Sequence, residues 1–424
     1  MRNVVAVAAC LAVIATFFSC GKESKDKQIT AFSFTTPQAV GVINESAKTI
    51  AVSVPVGTDV TALVPTITVS EKATVSPSSG VKQDFTDPVT YTVTAEDGST
   101  VEYIVTVTIG TGGGGGDASS LQTWTKVNLP AELTEDLNCV CFGNGKFVAG
   151  SDNANNGHNG KILVSSDNGK TWVINNNNVN MGGVRDIIYD GSRFVAIING
   201  NIGYATNPSE AWTMVELPEY EDATYSPYCL AYGGGYYLAI GRQGVTAYAT
   251  DVAGGWTRGK ISPTSGSGES IYGLVYANGM FVAGGAKGKL AYASNPSGVW
   301  TTVDNHPFGD AYINDIIFDG TRFVFAASQN TLGYATSPDG TWTKKTSQSV
   351  TSYFEGIAFG SGMYVAVGTG IVYTSNPASD WVAVKNSPFN LMESANDVAF
   401  GNNTFVAVGV SSSNNGKIAY ATVK

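Results

Sequence analysis

From Leu121 to Lys424 the chain alternates short apolar runs with tight polar turns, and the runs recur in a fixed order. Residues 313–345 show it plainly: INDIIFDG, TRFVFAAS, TLGYATS and, after a turn, TWTKK. Alternating runs of this length bounded by Gly, Asn, Asp and Pro predict β-strands. An aromatic-apolar-apolar core recurs at Phe147, Phe194, Tyr237, Phe281, Phe323, Tyr364 and Phe405. A Tyr-Ala-Thr type of run follows at Tyr204, Tyr248, Tyr292, Tyr334, Tyr373 and Tyr420, with Leu163 in its place in the first unit. The Trp residues, at 124, 172, 212, 256, 300, 342 and 381, keep the same beat. A self-similar period in the low forties with four strands in each period is the signature of a propeller blade. Seven units are predicted. The last has no Trp strand of its own, whereas Leu121–Lys126 is a Trp strand with no unit before it, so that strand is expected to complete the last blade from outside and remove the ring's open edges.

The pattern changes ahead of residue 121. Residues 1–19 hold one basic residue, Arg2, and an apolar stretch too short for a stable membrane span, so they read as a secretory leader. The stretch from Phe17 to Gly21 resembles a bacterial lipobox, with Phe17 where Leu is usual. That resemblance implies cleavage before Cys20 and lipidation of its thiol. Residues 20–28 are charged and form a stalk. Residues 29–109 are rich in Val, Thr and Ile, with hairpin signals such as Glu96-Asp97-Gly98-Ser99, and predict a small Ig-like β-sandwich. The runs VPVGTDVTALVPTITVS and DFTDPVTYTVTAEDGST resemble the Ig-like modules that follow the lipid anchor in bacterial surface lipoproteins. No His, Cys, Arg or Trp lies between 29 and 108, so that segment is expected to act as a spacer. Residues 110–120 are a Gly-rich linker. The fold expected is therefore all-β: a small Ig-like sandwich, then, over 121–424, a seven-bladed propeller closed by an N-terminal outer strand.

Residues 165–172, SSDNGKTW, place Ser165, Asp167, Gly169, Thr171 and Trp172 in the spacing of the Asp-box and resemble that turn in sialidase-like propellers. The resemblance implies a folding device on the face opposite the ligand site. Short polar side chains bond the turn's own backbone, Gly allows positive φ, and the aromatic packs between sheets. Sialidases themselves grip a carboxylate with three Arg. Of the five propeller Arg, Arg193 and Arg322 sit in turns on the far face and Arg258 lies beyond an outer-strand Trp, so only Arg185 and Arg242 lie near the other face, and the triad is missing.

Turns after the first and third strands of each unit share one propeller face and are uniform. Turns after the second and outer strands share the other face and are long and varied, which is where function usually sits on a rigid scaffold. Those loops are acidic, as is the chain, with net charge −10. Nucleic acid is disfavoured, because phosphate binding needs a basic footprint. The candidate ligand-binding residues are Glu219, Tyr220, Tyr225, Asp304, His306, Phe308, Asp310, Tyr312 and Phe389, with Arg185 and Arg242. An aromatic platform with carboxylates suits a neutral or cationic glycan; alternatively the aromatics plug the tops of the blades. Aligning the third position of the innermost strands gives Cys139, Asp186, Cys229, Gly273, Asp315, Glu355 and Asp397. The acids Asp186, Asp315, Glu355 and Asp397 would then stand at the channel mouth, either holding a hard cation or accepting backbone N–H bonds from the neighbouring blade.

Neither His158 nor His306 has partners for a triad or a zinc site, no phosphate or dinucleotide fingerprint is present, and no cofactor is expected beyond that cation. Cys139, Cys141 and Cys229 fall on inner strands and are expected to stay unpaired. The leading expectation is a lipid-anchored envelope protein, at the outer membrane or cell surface, whose non-catalytic propeller binds an extracellular or periplasmic glycan or protein. The other readings are a glycoside-active enzyme with a carboxylate pair and an envelope-assembly scaffold; fold alone does not choose.

Overall fold

The structure, a computed structural model of the chain, describes residues 24–35, 38–45, 47–54, 58–109, 118–152, 160–177, 182–219, 226–261, 270–347, 353–411 and 416–424. The leader at 1–19, Cys20, most of the Gly-rich linker, His158, Tyr220 and Tyr225 lie outside the described residues. Among the described residues no helix is long and apolar enough to cross a membrane. They divide into two compact units, one drawn from most of the chain before Val107 and one holding Thr108–Lys424.

The first unit has two sheets. One runs in the order Gln38–Val40, Ile29–Thr35, Pro65–Val69; the other in the order Val42–Asn44, Thr49–Val54, Thr100–Ile109, Val89–Thr94, Thr74–Ser76. Period-two burial turns Phe32 and Phe34 inward from one sheet and Tyr91 and Val93 from the other. Phe32 meets Phe34 and Tyr91 edge to face at 5.6 Å each. Two sheets sharing one aromatic core form the expected sandwich.

The second unit is the seven-bladed ring. Six sheets of four strands follow one another along the chain, and the seventh runs Ala395–Gly401, Thr404–Val410, Gly416–Thr422, Thr125–Lys126. The ring closes as expected: Thr125 and Lys126 pair with Tyr420 and Ala419. Gln122 strengthens the closure by reaching into the sixth blade. Its Nε2 donates to the Tyr373 hydroxyl at 2.7 Å and the Ala383 carbonyl at 3.1 Å, and its Oε1 accepts from the Lys385 N–H at 3.1 Å.

Within a blade the second strand is buried on both faces, which is why it reads as an unbroken apolar run. Its first aromatic pairs directly with the aromatic near the end of the inner strand, as in Phe142 with Phe147 and Tyr189 with Phe194. Ring centroids in the seven such pairs lie 4.4 to 4.9 Å apart. The inner-strand ring also covers the preceding blade: a Cβ on Gly143 would fall 2.2 Å from Tyr189, and one on Gly360 would fall 1.9 Å from Phe400. The Asp-box turn is made as its residues require. Asp167 accepts from the Lys170 and Thr171 N–H groups at 3.1 and 2.9 Å and from the Ser165 and Thr171 hydroxyls at 2.8 and 2.7 Å, while the Trp172 indole donates to the Gly169 carbonyl at 3.0 Å. Although desolvation works against it, the bonds from Thr171, Ser165 and Lys170 hold the Asp167 carboxyl below the usual range.

Each inner strand has a sheet partner on one side only, so its other edge presents unpaired backbone groups. Side chains of the preceding blade meet part of that need. Asp186 accepts from the Leu230 N–H at 2.6 Å, Asp315 from the Ile357 N–H at 2.8 Å and Asp397 from the Val140 N–H at 2.7 Å. The residue before each of the latter two works in the opposite sense: Asn314 donates to the Phe354 carbonyl at 2.9 Å and Asn396 to the Leu137 carbonyl at 2.8 Å. Asn138 likewise donates to the Val184 carbonyl at 2.9 Å. An Asn-Asp pair thus clamps the next blade at the fifth seam and at the seventh, where the ring closes. Each clamp bond contributes about 1 kcal/mol, against about 1.5–3 kcal/mol for each fully buried large apolar side chain. The aromatic core therefore supplies stability and the clamps supply register.

The clamp carboxyls sit in poor electrostatic surroundings. Burial first, with the Asp315 charge adding to it, pushes Asp186 up to about 7; burial pushes Asp315 up to about 6; burial, with the charges of Asp315 and Asp186, raises Asp397 well above the ordinary carboxylate value. A carboxyl raised in the folded state is favoured there in its protonated form, so its stabilising contribution is complete below its unfolded value and is lost as pH rises through the folded one. Two outcomes are expected. Asp397→Ala, which strands the Val140 N–H, lowers the unfolding free energy by about 1–3 kcal/mol in urea melts, with Asp397→Asn closer to the parent. Second, Asp186 and Asp315 make the protein less stable as pH rises from about 4, the ordinary carboxylate value, to about 7. The desolvated His306, whose value is lowered, acts in the opposite direction over that window. The decisive comparison is thus the pH slope of the parent against Asp186→Asn/Asp315→Asn; identical slopes would contradict the assignment.

Candidate functional site

Every inner strand begins with the same irregularity. Leu137 pairs with Ser151 and Cys139 with Gly150, skipping Asn138, and the other six blades repeat the skip. A bulge of this kind re-aims the unpaired residue. The seven re-aimed residues are Asn138, Arg185, Tyr228, Tyr272, Asn314, Glu355 and Asn396, and all seven line one cavity of about 830 Å³ together with Tyr312, Ser328, Gln329 and Tyr353. The size is that of a small-ligand site. Because the second residue of an inner strand follows directly on the inter-blade loop, the cavity opens on the face of long, varied loops.

Three of the seven positions are engaged in the clamps: Asn138, Asn314 and Asn396 each direct an amide N–H to the next blade. The other four blades place Arg185, Tyr228, Tyr272 and Glu355 there. Tyr228 and Tyr272 stack at 5.9 Å with planes 8° apart, and Tyr272 and Tyr312 stack at 6.3 Å and 17°. A ring inserted between two others needs a gap of about 7 Å, twice the ~3.5 Å carbon contact distance. The fan therefore meets a ligand with its hydroxyl edges and its two outer faces. Desolvation, chiefly, raises the Tyr272 phenol, and a bond with the Ser270 side chain opposes the shift. Tyr312 is fixed by its backbone N–H, which donates to the Ser328 hydroxyl at 2.8 Å, yet 43 % of it remains exposed, as does 53 % of Tyr353. Glu355 is half-buried, makes no hydrogen bond or ion pair among the described residues, and is raised by desolvation. Arg185 is exposed and lies 3.8 Å from Asp152.

Several expected residues stand elsewhere. Glu355 does not share a level with Asp186, Asp315 and Asp397. The third residue of the sixth inner strand is Gly356, and a Cβ there would fall 2.9 Å from the Asp397 Cα, so Glu355 belongs one position up, in the cavity. The three remaining acids are occupied by backbone N–H groups, which corrects the cation reading in favour of the neighbouring-blade one, and among the described residues no cluster of His, Cys, Asp and Glu is arranged to hold a metal. Phe308 and Phe389, expected among the exposed aromatics, are buried. Phe308 meets Phe325 at 4.5 Å and Trp342 at 5.9 Å, both edge to face, and stacks on His306 at 4.9 Å. Phe389 packs in the core of the last blades beneath Lys417. Glu219, Asp304, Asp310 and Arg242 are exposed and do not line the cavity. Of the candidates, Arg185, Tyr312 and Glu355 come together there.

On the far face, Arg193 bonds Asp190 at 3.0 Å, and Arg322 bonds Asp319 at 3.0 Å and the Tyr364 hydroxyl at 2.9 Å. Cys139, Cys141 and Cys229 are unpaired thiols, raised by burial. Sequence reasoning missed Tyr228, Tyr272, Tyr353, Ser328 and Gln329. Reading the second rather than the third inner-strand position would have exposed the series Asn, Arg, Tyr, Tyr, Asn, Glu, Asn.

Comparison with known proteins bears on the two units differently. The propeller is similar to YCF48 bound to D1 peptide (13% identity, 71% of this chain and 97% of that chain covered, TM-score 0.52) and to YCF48 from Cyanidioschyzon merolae (14%, 70% and 98%, 0.52). It is also similar to the extracellular domain of the hybrid two component system BT4673 from B. thetaiotaomicron (12%, 70% and 39%, 0.51). At such identities the likeness is one of fold. A search of curated proteins found no match to the chain. Residues 29–107 match the family described as SGBP, N-terminal, and the residues that follow form the seven-bladed propeller.

Proposed function

We propose that this is a surface glycan-binding protein whose propeller holds a glycan, without cleaving it, in the cavity at the channel mouth. One observation carries the reading. At seven equivalent positions, three side chains serve the clamps, while Arg185, Tyr228, Tyr272 and Glu355 are released from that duty and line a cavity instead. Phenol hydroxyls, a carboxylate, a guanidinium and amide oxygens around one space suit a polyhydroxy ligand, which offers donors and acceptors in every direction. The match of residues 29–107 supports the same class of ligand. Cleavage by a carboxylate pair is the weaker reading, because hydrolysis of that kind needs two carboxyls flanking the bond and Glu355 is the one carboxylate among the residues lining the cavity.

The cellular setting follows from the same reading. Cys20 carries lipid, residues 21–120 act as a spacer, and the acidic loops of the propeller offer a face for glycan or a protein partner. Replacement of Cys20 by Ala is expected to move the protein from the membrane fraction to the soluble fraction; unchanged partition would refute the anchor.

The ligand reading is tested on an array of bacterial, plant and host glycans, with released sugar assayed in the same samples. Binding without product is expected. Tyr228→Ala and Tyr272→Ala should each weaken the best ligand about tenfold or more, a change of about 1.4 kcal/mol, while Val299→Ala, at an exposed site on the outer rim, should leave it unchanged. Released sugar would establish an enzyme instead, and an array without binding would shift the ligand to a protein.

A further inference from the structure

We propose that the cavity is charge-selective, preferring glycans that carry a free amine, such as an unsubstituted hexosamine, and rejecting acidic chains. This deepens the glycan reading and rests on it. The first support is Glu355. It lines the cavity half-buried and has no hydrogen-bond or ion-pair partner among the described residues. A carboxylate so placed is unfavourable until something supplies a donor, and an ammonium supplies both donor and charge.

The second support is the balance of charge. Among the described residues Arg185 is the one basic residue lining the cavity, and it faces Asp152 at 3.8 Å, which offsets its charge in place. With Arg185 offset, Glu355 is the carboxylate left to set the sign of the cavity lining. A concave site dominated by one sign concentrates ligands of the other. It also disfavours a uronate or sulfate by like-charge repulsion, which is how specificity against a competitor is built.

The third support is the shape of the polar lining. Asn138, Asn314 and Asn396 each direct one N–H to the next blade, so each keeps its amide oxygen and one N–H for a ligand. Tyr312 and Tyr353, on the blades that carry Asn314 and Glu355, stand partly exposed, and the faces of such rings attract ammonium groups within about 6 Å. Amides, a carboxylate and electron-rich rings around one space make a site for a donor-rich cation. A neutral sugar would satisfy the amides alone.

The test is calorimetric titration of the full chain, at one slightly acidic pH, with three probes of equal length: a β-1,4-glucosamine oligomer, its N-acetylated counterpart and an oligogalacturonate. The glucosamine oligomer is expected to bind about tenfold tighter than the acetylated one, with the oligogalacturonate weakest, and the gap should narrow as salt shortens the Debye length. Glu355→Gln should bring the ratio of the first two affinities close to one, whereas Arg185→Gln should widen it; the opposite signs keep the test valid should one variant fold poorly, as melting curves would reveal. Equal affinity for the amine and its acetylated form, or tightest binding of the oligogalacturonate, overturns the charge selectivity and leaves glycan binding standing. Failure of all three probes while the array yields a neutral or acidic ligand also overturns the selectivity, and silence of both probes and array refutes the glycan reading itself.

Discussion

The free edge of the innermost strands is the constraint from which the propeller's detail follows. A sheet that ends at a central channel leaves one row of backbone N–H and C=O groups without a strand partner, and blades do not continue each other's sheets. The protein answers with side chains reaching from one blade to the next. Where both halves of the answer are present, Asn314-Asp315 and Asn396-Asp397 grip a carbonyl and an N–H of the following strand. The second of these pairs joins the last blade to the first, while Thr125–Lys126 completes the last blade's own sheet and the Gln122 fork ties it to the sixth. Hydrophobic packing supplies most of the stability at all seven seams.

The same constraint decides where function can arise. A bulge at the start of every inner strand turns the second residue toward the channel mouth, and the clamp claims that residue in three blades. In the remaining four the position is free to vary in chemistry without loosening a seam. Arg185, Tyr228, Tyr272 and Glu355 occupy it, and each differs from the clamp's Asn. Structural and binding roles thus exchange at a single register position, and a ring of near-identical repeats acquires an asymmetric site without any change of fold.

Much of this architecture was legible in the chain. The doubly buried second strands, the spaced Trp residues and the orphan strand at Leu121–Lys126 all follow from burial and period, which sequence records directly. The Asp-box at Ser165–Trp172 was legible because every bond it makes is local. The site was harder to read for two physical reasons. A bulge shifts facing by one residue and leaves no mark of its own, so aligning the third position put Glu355 beside Asp397 when its true equivalents are Asn314 and Asn396. Loop aromatics were the other difficulty. Phe308 and Phe389 each follow a proline in a polar loop, and nothing local says that both turn back to seal the core, Phe308 against Phe325 and Trp342. Exposure of Tyr312 and Tyr353 is set by the same tertiary choice.

A protein that displays one asymmetric cavity on a rigid ring should respond to its ligand in one place. Hydrogen–deuterium exchange of the full chain, with and without the best-binding glycan, tests that most directly. The expected result is slowed exchange in the peptides that carry Arg185, Tyr228, Tyr272, Tyr312 and Glu355, with the Asp190 and Asp319 turns on the far face unchanged. Protection confined to those far-face turns, or to the sandwich at residues 29–107, would contradict the placement of the site at the channel mouth.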